Sequence, residues 1–177
     1  MTGVVREARH DDLSALRDVE RAAGHLFARL GMDLVADDEP PSLETLREYA
    51  DGGRAWVRTD DLDRPVAYLL AAEVDGCAHL EQVSVHPDHA GRRLGQELLS
   101  RLEQWARGRH LPAITLTTYT DVPWNGPYYQ RLGFRVLTDA ELSPGLRRVR
   151  RAEADHGLDR WPRAAMRREV RPPAPSG

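Results

Sequence analysis

The segment "HPDHAGRRLGQELLSRLEQWA", His86 to Ala106, decides how this chain is read. An apolar run, "HLEQVSV", enters it, and a leucine pattern leaves it. Leu94, Leu98, Leu102 and Trp105 recur every three or four residues, the spacing of one helical face. Gly108 supplies the stop. A short knot of glycine and arginine therefore joins a strand to a helix. Such a junction is a natural anion cradle. The first turn of a helix leaves N–H groups unpaired, the macrodipole adds partial positive charge there, and phosphates are the usual guests. Gly91 and Gly95 permit close backbone approach, while Arg92 and Arg93 add charge. The knot lacks the lysine and Ser/Thr of a P-loop and the G-x-G-x-x-G of a dinucleotide fold. Taken alone, it is equally a plain strand–helix connection with solvated arginines.

Working outward, residues 3–9 read as a short first strand. "HDDLSALRDVERAAGHLFARLG" reads as a helix, with Leu13, Leu16, Val19, Ala23, Leu26, Phe27 and Leu30 on one stripe, Asp11 or Asp12 at its start and Gly31 at its end. "MDLVADDEPP" is an acidic, proline-closed loop. "SLETLREYADGG" is a second helix, with Glu44 favouring its start and Gly52-Gly53 stopping it. "RAWVRT", "PVAYLLAAEV" and "AHLEQVSV" are strand-like. Beyond the cradle helix, "AITLTTYT" is rich in β-branched residues, "VPWNGPYYQRLG" is a short helix or turn, and "FRVL" begins a strand. "SPGLRRVRRAEADHGLDRWPR" looks like a loop with one helical turn, "AAMRREV" like a last strand, and "RPPAPSG" like a frayed tail. The order β-α-α-β-β-β-α-β-α-β-β implies a mixed sheet with helices on both faces, α/β or α+β.

The chain's 177 residues suit one domain with one core. Apolar residues make up 41 % and charged residues 30 %, ordinary globular values. A net charge of -3 argues against a surface built for nucleic acid or anionic lipid. Acids dominate Asp33–Asp63, and arginines crowd Arg147–Arg168. There is no lysine, which removes a lysine base or Schiff base. The single cysteine, Cys77, forms no internal disulfide, and no Cys-x-x-Cys pair exists. No apolar stretch approaches the roughly 18–20 residues that span a bilayer. "MTGVVREARHDD" has no signal-peptide core. A cytoplasmic protein is expected.

"VSVHPDHAGRRLGQELL" resembles the coenzyme A pyrophosphate loop of the GCN5-related N-acetyltransferase (GNAT) family. "DVPWNGPYYQRLGF" resembles that family's second hallmark, and the two lie in the family's order about one strand apart. The resemblance covers nearly the whole chain and is weakest after Thr138. It implies a mixed, mostly antiparallel sheet splayed between its fourth and fifth strands. It implies one domain over 1–177, with a core of about 3–138, a variable part over 139–170 and a tail over 171–177. Two positions depart from the family's loop: Ala90 stands where Arg or Gln is common, and Arg93 where Gly is common.

The resemblance implies acetyl transfer from acetyl-CoA to an amine, without a metal. Gly91, Arg92, Arg93, Gly95 and Gln96 are then the cofactor cradle. Val83, Ser84 and Val85 hold the pantetheine arm and thioester carbonyl through main-chain groups, at a bulge. Glu81 is the first candidate for the base; a carboxylate in a partly apolar sheet has a raised pKa. His79, on the same face of the strand, is its reserve or a wall residue. Tyr129 matches the family tyrosine that protonates the leaving thiolate. Asn125 either bonds the cofactor arm or caps the short helix, and Trp124 packs. His86, Asp88 and His89 suggest a metal only weakly, because Pro87 sits in a tight loop. No Gly-x-Ser-x-Gly elbow marks a serine nucleophile, which favours direct transfer.

Glu20, Asp33, Asp37 and Asp38 fall where the family lines its acceptor pocket; they either attract a cationic amine or form a solvated acidic surface. The arginine-rich tail either meets an acidic acceptor or RNA, or is solvated and partly ion-paired. The expected acceptor is a primary amine of a small molecule, with neither membrane nor nucleic acid as partner. The alternatives are a protein or peptide N-terminus, aminoacyl-tRNA, or a coenzyme A-binding sensor without catalysis. Homodimers are common for such folds, and no residue decides the matter.

Overall fold

A computed structural model describes residues 2–173 and residue 175. Strand β1 is Val5–Glu7. A 3-10 turn, His10–Asp12, leads into helix α1, Leu13–Gly24, which buries Leu13, Leu16 and Val19. The expected longer helix changes winding at His25. His25–Leu30 is 3-10, and none of its residues is buried, so no packed face sustains the wider α turn. Gly31 closes it at φ 70. The acidic loop contains a one-turn helix α2, Asp33–Ala36, which is preceded by buried Met32 and ends in buried Ala36. Helix α3, Leu43–Asp51, opens where the Ser42 hydroxyl accepts the Thr45 N–H at 3.1 Å.

Strands β2, Ala55–Thr59, β3, Pro65–Val74, and β4, Cys77–Val85, follow. Asp75 and Gly76, between β3 and β4, both have positive φ, 49 and 75. That pair of angles makes a two-residue hairpin turn whose twist suits the flanking strands. Helix α4 is Leu94–Gly108, strand β5 Ala113–Tyr119, helix α5 Gly126–Arg131 and strand β6 Arg135–Val136.

The sequence reading then fails over Ser143–Arg163. In place of a loop with one turn stands a twelve-residue helix α6, Pro144–Asp155. Proline at its first position and Ser143 as its cap are ordinary start signals. Strand β7, Arg163–Glu169, closes the fold. Arg171, expected in a frayed tail, is held: its backbone N–H donates to Glu103 at 2.8 Å. Of that tail, Ala174, Ser176 and Gly177 lie outside the described residues.

The strands form one mixed sheet in the order β1-β2-β3-β4-β5-β7-β6. β4 and β5 are parallel, and only Ala78 with Ile114 and His79 with Thr115 pair across them. β5 and β7 pair antiparallel from Ala113–Glu169 to Tyr119–Arg163.

By contacts the chain divides into two compact units, Met1–Ala71 with Glu81–Leu102, and Ala72–Leu80 with Glu103–Gly177. In the first, Leu13, Leu16 and Val19 of α1 and Leu46 of α3 pack on Ala55, Val57, Tyr68 and Leu70 of β2 and β3. Each leucine and valine of this cluster contributes about 1.5–3 kcal/mol on burial. In the second, Leu146 of α6 packs with Leu137, Ala165, Val74 and Leu142. Here the Asp75 carboxylate accepts the Gly145 N–H, which places an anion at the positive end of α6.

Candidate active site

The first unit holds the loop between β4 and α4. His86 donates its backbone N–H to Val66 at 2.9 Å, and its Nδ1 accepts the Asp88 N–H at 3.2 Å. His86 thus caps the turn Pro87–His89. Among the described residues no three His, Cys, Asp or Glu side chains are grouped so as to hold a metal ion.

Gly91 follows at φ 76 and Arg93 at φ 59. The backbone turns twice here before α4 begins. The Arg93 carbonyl accepts from the amides of Gln96 and Glu97, at 3.1 and 3.2 Å. The amides of Gly91, Arg93, Leu94 and Gly95 find no acceptor among the described residues. Four free donors beside the positive end of a fifteen-residue helix fit a diphosphate in number and chemistry. A Cβ built on Gly91 meets nothing within 4 Å, so the loop is open there. The helix start is anchored from below by Glu97, which pairs with the buried Arg58.

On β4, Val83 and Val85 are half-buried and Ser84 is buried. The Ser84 hydroxyl donates to Glu20 of α1 at 2.5 Å. Gln82 donates to both Glu20 oxygens, at 3.0 and 3.1 Å, and the Tyr68 hydroxyl donates at 2.7 Å. Burial, and then the Glu20 charge, push the Tyr68 phenol well above its ordinary value, so it remains a donor. Sequence reasoning missed this cluster and placed Glu20 with a solvated acidic group or an acceptor wall. The available signal was an acid beside the apolar stripe of α1 and two polar residues two apart on one strand.

Glu81 is exposed, so the partly apolar setting expected for it is not found. Tyr49 of α3 senses it: burial first, and Glu81 second, raise the Tyr49 phenol.

The second unit holds the other candidates. His79 is 1 % exposed, and its Nδ1 lies 2.8 Å from the Thr115 hydroxyl of β5. Burial drives its pKa from 6.5 down to about 4. A neutral, weakly basic imidazole fits the wall role better than that of a reserve base.

Tyr129 sits on α5, buried, with its ring edge-on to Tyr128 and Phe134 at 5.3 and 5.7 Å between centroids. Burial, with a smaller effect of Tyr128, pushes its phenol upward, so it stays protonated. Its hydroxyl makes no hydrogen bond among the described residues. The placement of α5 depends on Gly126, where a Cβ would lie 2.8 Å from the Thr120 carbonyl oxygen. Asn125 precedes it, half-buried, and its side chain makes no capping bond. Trp124, expected to pack, is exposed.

Much of the arginine-rich tail is consumed internally. Arg163 is bonded to Glu153 of α6, which also accepts from Thr117 of β5 at 3.1 Å. Arg163 stacks over Tyr119, 4.2 Å from the ring centre. Arg150 pairs with Asp159 at 2.9 Å, Arg167 with Glu169 at 2.8 Å and Arg168 with Glu103 at 3.5 Å. Arg147 donates to the carbonyls of Leu142 and Asp139. Arg148, Arg151 and Arg160 of the same segment are exposed.

The model of the acetyltransferase (GNAT) family matches residues 25–134. Among solved structures, an N-acetyltransferase of Thermoplasma acidophilum in complex with coenzyme A is similar at a TM-score of 0.71, 14 % identical over 96 % of this chain and 99 % of that one. A phosphinothricin acetyltransferase of Sinorhizobium meliloti, bound to acetyl-CoA, scores 0.67 at 18 % identity, over 96 % of this chain and 89 % of that one. The ribosomal-protein-S18-alanine N-acetyltransferase of Escherichia coli scores 0.66 at 17 % identity, over 99 % of both chains.

Proposed function

The chain belongs to the acetyltransferase (GNAT) family, and from that premise we propose that it moves an acetyl group from acetyl-CoA directly to a primary amine of a small molecule. The observation that carries the cofactor reading is the set of free amides at Gly91, Arg93, Leu94 and Gly95 opening α4. Acetyl-CoA supplies the acetyl group activated as a thioester.

The roles of the residues follow from their chemistry. The free amides and the α4 dipole bind the diphosphate, with Arg92, Arg93 and Gln96 at the same opening. Main-chain groups of Val83, Ser84 and Val85 align the pantetheine arm. The bond network from Ser84 and Gln82 to Glu20 fixes that stretch of β4 to α1, which limits the misalignment that slows a positioned reaction. The Asn125 side chain, without a capping role, bonds the same arm. Glu81 accepts the amine proton; its exposure suits relay through water. Tyr129 donates a proton to the leaving thiolate sulfur, and its raised phenol keeps that proton available. Cys77, the single cysteine, is buried, in keeping with transfer that forms no acetyl-enzyme.

A small-molecule acceptor is favoured over tRNA because Arg150, Arg163, Arg167 and Arg168 are each engaged with an acid, Asp159, Glu153, Glu169 and Glu103 in turn. A panel of primary amines, read by release of free coenzyme A thiol, tests this; turnover restricted to peptide N-termini would overturn it. The cofactor reading is tested by thermal unfolding with acetyl-CoA. At a hundred-fold excess over Kd, binding adds about 2.7 kcal/mol, or about 5–11 °C for a chain of this size. An unmoved midpoint at millimolar acetyl-CoA refutes it.

A further inference from the structure

A cavity of about 290 Å³ opens within the second unit, walled by the β3–β4 turn, β5, β6, β7 and the start of α6. None of the residues lining it has a part in the transfer proposed above. Close-packed interiors leave few voids larger than a water molecule, and an apolar void of about 150 Å³ already holds benzene. Buried Cys77, Leu137 and Leu146 give this cavity an apolar wall.

The charged groups lining the cavity are unevenly satisfied. Its three acids are all engaged. The Asp75 carboxylate accepts the Gly145 N–H at 2.6 Å. Glu141 accepts from Arg135 and from the Thr138 N–H, both at 2.8 Å. Glu169 accepts from Nε and Nη2 of Arg167, at 2.8 and 3.3 Å. The two cations, by contrast, keep donors to spare, because a guanidinium carries five N–H groups in a planar fork. Arg135 makes one hydrogen bond among the described residues, to Glu141. Nη1 of Arg167 meets only the Cys77 sulfur, at 3.5 Å, and a thiol is a weak acceptor. Arg135 and Arg167 are also direct partners across β6 and β7. Like charges set opposite each other are unfavourable, and a shared anion relieves them.

We infer that this cavity binds a small monocarboxylate with a compact apolar body, of the size of an aryl or branched-chain acid. The carboxylate takes the spare N–H groups of Arg135 and Arg167, a pairing that the planar fork suits. The body rests against Leu137, Leu146 and Cys77. An inorganic anion would leave that wall bare, and a neutral hydrocarbon would leave the donors bare.

The test uses the full chain, benzoate as the probe and benzamide as its uncharged counterpart. Cys77, the single cysteine of the chain, reports occupancy through its alkylation by iodoacetamide, read by mass spectrometry. Benzoate is expected to bind at about 1 mM, as a good fragment does. At about ten times that concentration it slows alkylation of Cys77 about 10-fold, by mass action. Benzamide binds at least about 10-fold more weakly, because it lacks the charge. Arg135→Gln, at an exposed position, weakens benzoate about 5–10-fold, and Arg135→Lys restores part of the affinity. Calorimetric titration and thermal unfolding with benzoate give the affinity independently of Cys77. Unprotected Cys77 at saturating benzoate overturns the inference, whether benzoate fails to bind or binds elsewhere. Equal affinity for benzamide, or wild-type affinity in Arg135→Gln, overturns it as well. A Cys77 that iodoacetamide does not reach in the native chain shows a closed cavity and ends it too. No coenzyme A enters the experiment, so the acetyl-transfer reading stands whichever way the result falls.

Discussion

Acid should unload the fold through one imidazole. His79 is 1 % exposed, and burial lowers its pKa from 6.5 to about 4. The unfolded chain keeps the ordinary value. Between the two, the unfolded state binds a proton that the folded state refuses, so stability falls as pH falls through that window. The gap of about 2.5 units, at about 1.4 kcal/mol per unit, gives about 3 kcal/mol. That is a large share of the 5–15 kcal/mol typical of a domain. The assay is urea unfolding from pH 7 to pH 4 for wild type and His79→Asn, a variant that keeps a polar group near Thr115. The variant begins less stable, because a smaller side chain leaves space. Its stability should then fall about 3 kcal/mol less over the same range. Other carboxylates and histidines titrate in both proteins and cancel in the difference. Parallel curves would show that burial does not hold His79 neutral, and the reasoning would fail.

Tyr129→Phe should lower kcat by about 10²–10³-fold and leave coenzyme A affinity unchanged. The unfolding midpoint should stay within about 2 °C, because the hydroxyl removed has no partner among the described residues and the ring stacking is kept. Wild-type turnover would remove the acid assignment. Glu81→Gln should lower the rate and flatten its rise with pH, because the carboxylate that accepts the amine proton is gone. An unchanged pH profile would transfer that role to water.

The elements carried by local pattern were legible. The leucine spacing of α4, the turn residues Asp75-Gly76 and the run "PVAYLLAAEV" all appear where the sequence puts them. Helix α6 was not legible, because arginines interrupt its face and leave only Leu146 as a buried large apolar anchor. Its stability comes from distant groups: Asp75 at its start and Arg163 against Glu153 near its end. The site divides along the same line. The glycine loop and the tyrosine on α5 are local motifs. The Glu20 cluster joins residues 62 and 64 apart in the chain, and no window of sequence contains it. Strand alternation gives the face that Glu81 occupies, but not that the face is left uncovered there.

The turn at Asp75-Gly76 has a practical consequence. Hairpin tips are the customary places to splice in an affinity tag or to open new chain ends, because they are expected to be free of obligations. This one is bolted to the start of α6 through the bond from Gly145 to Asp75. An insertion there would pull an anion away from the amides of a helix that supplies Leu146 and Glu153 to its unit. Engineers who need a permissive site should cut elsewhere.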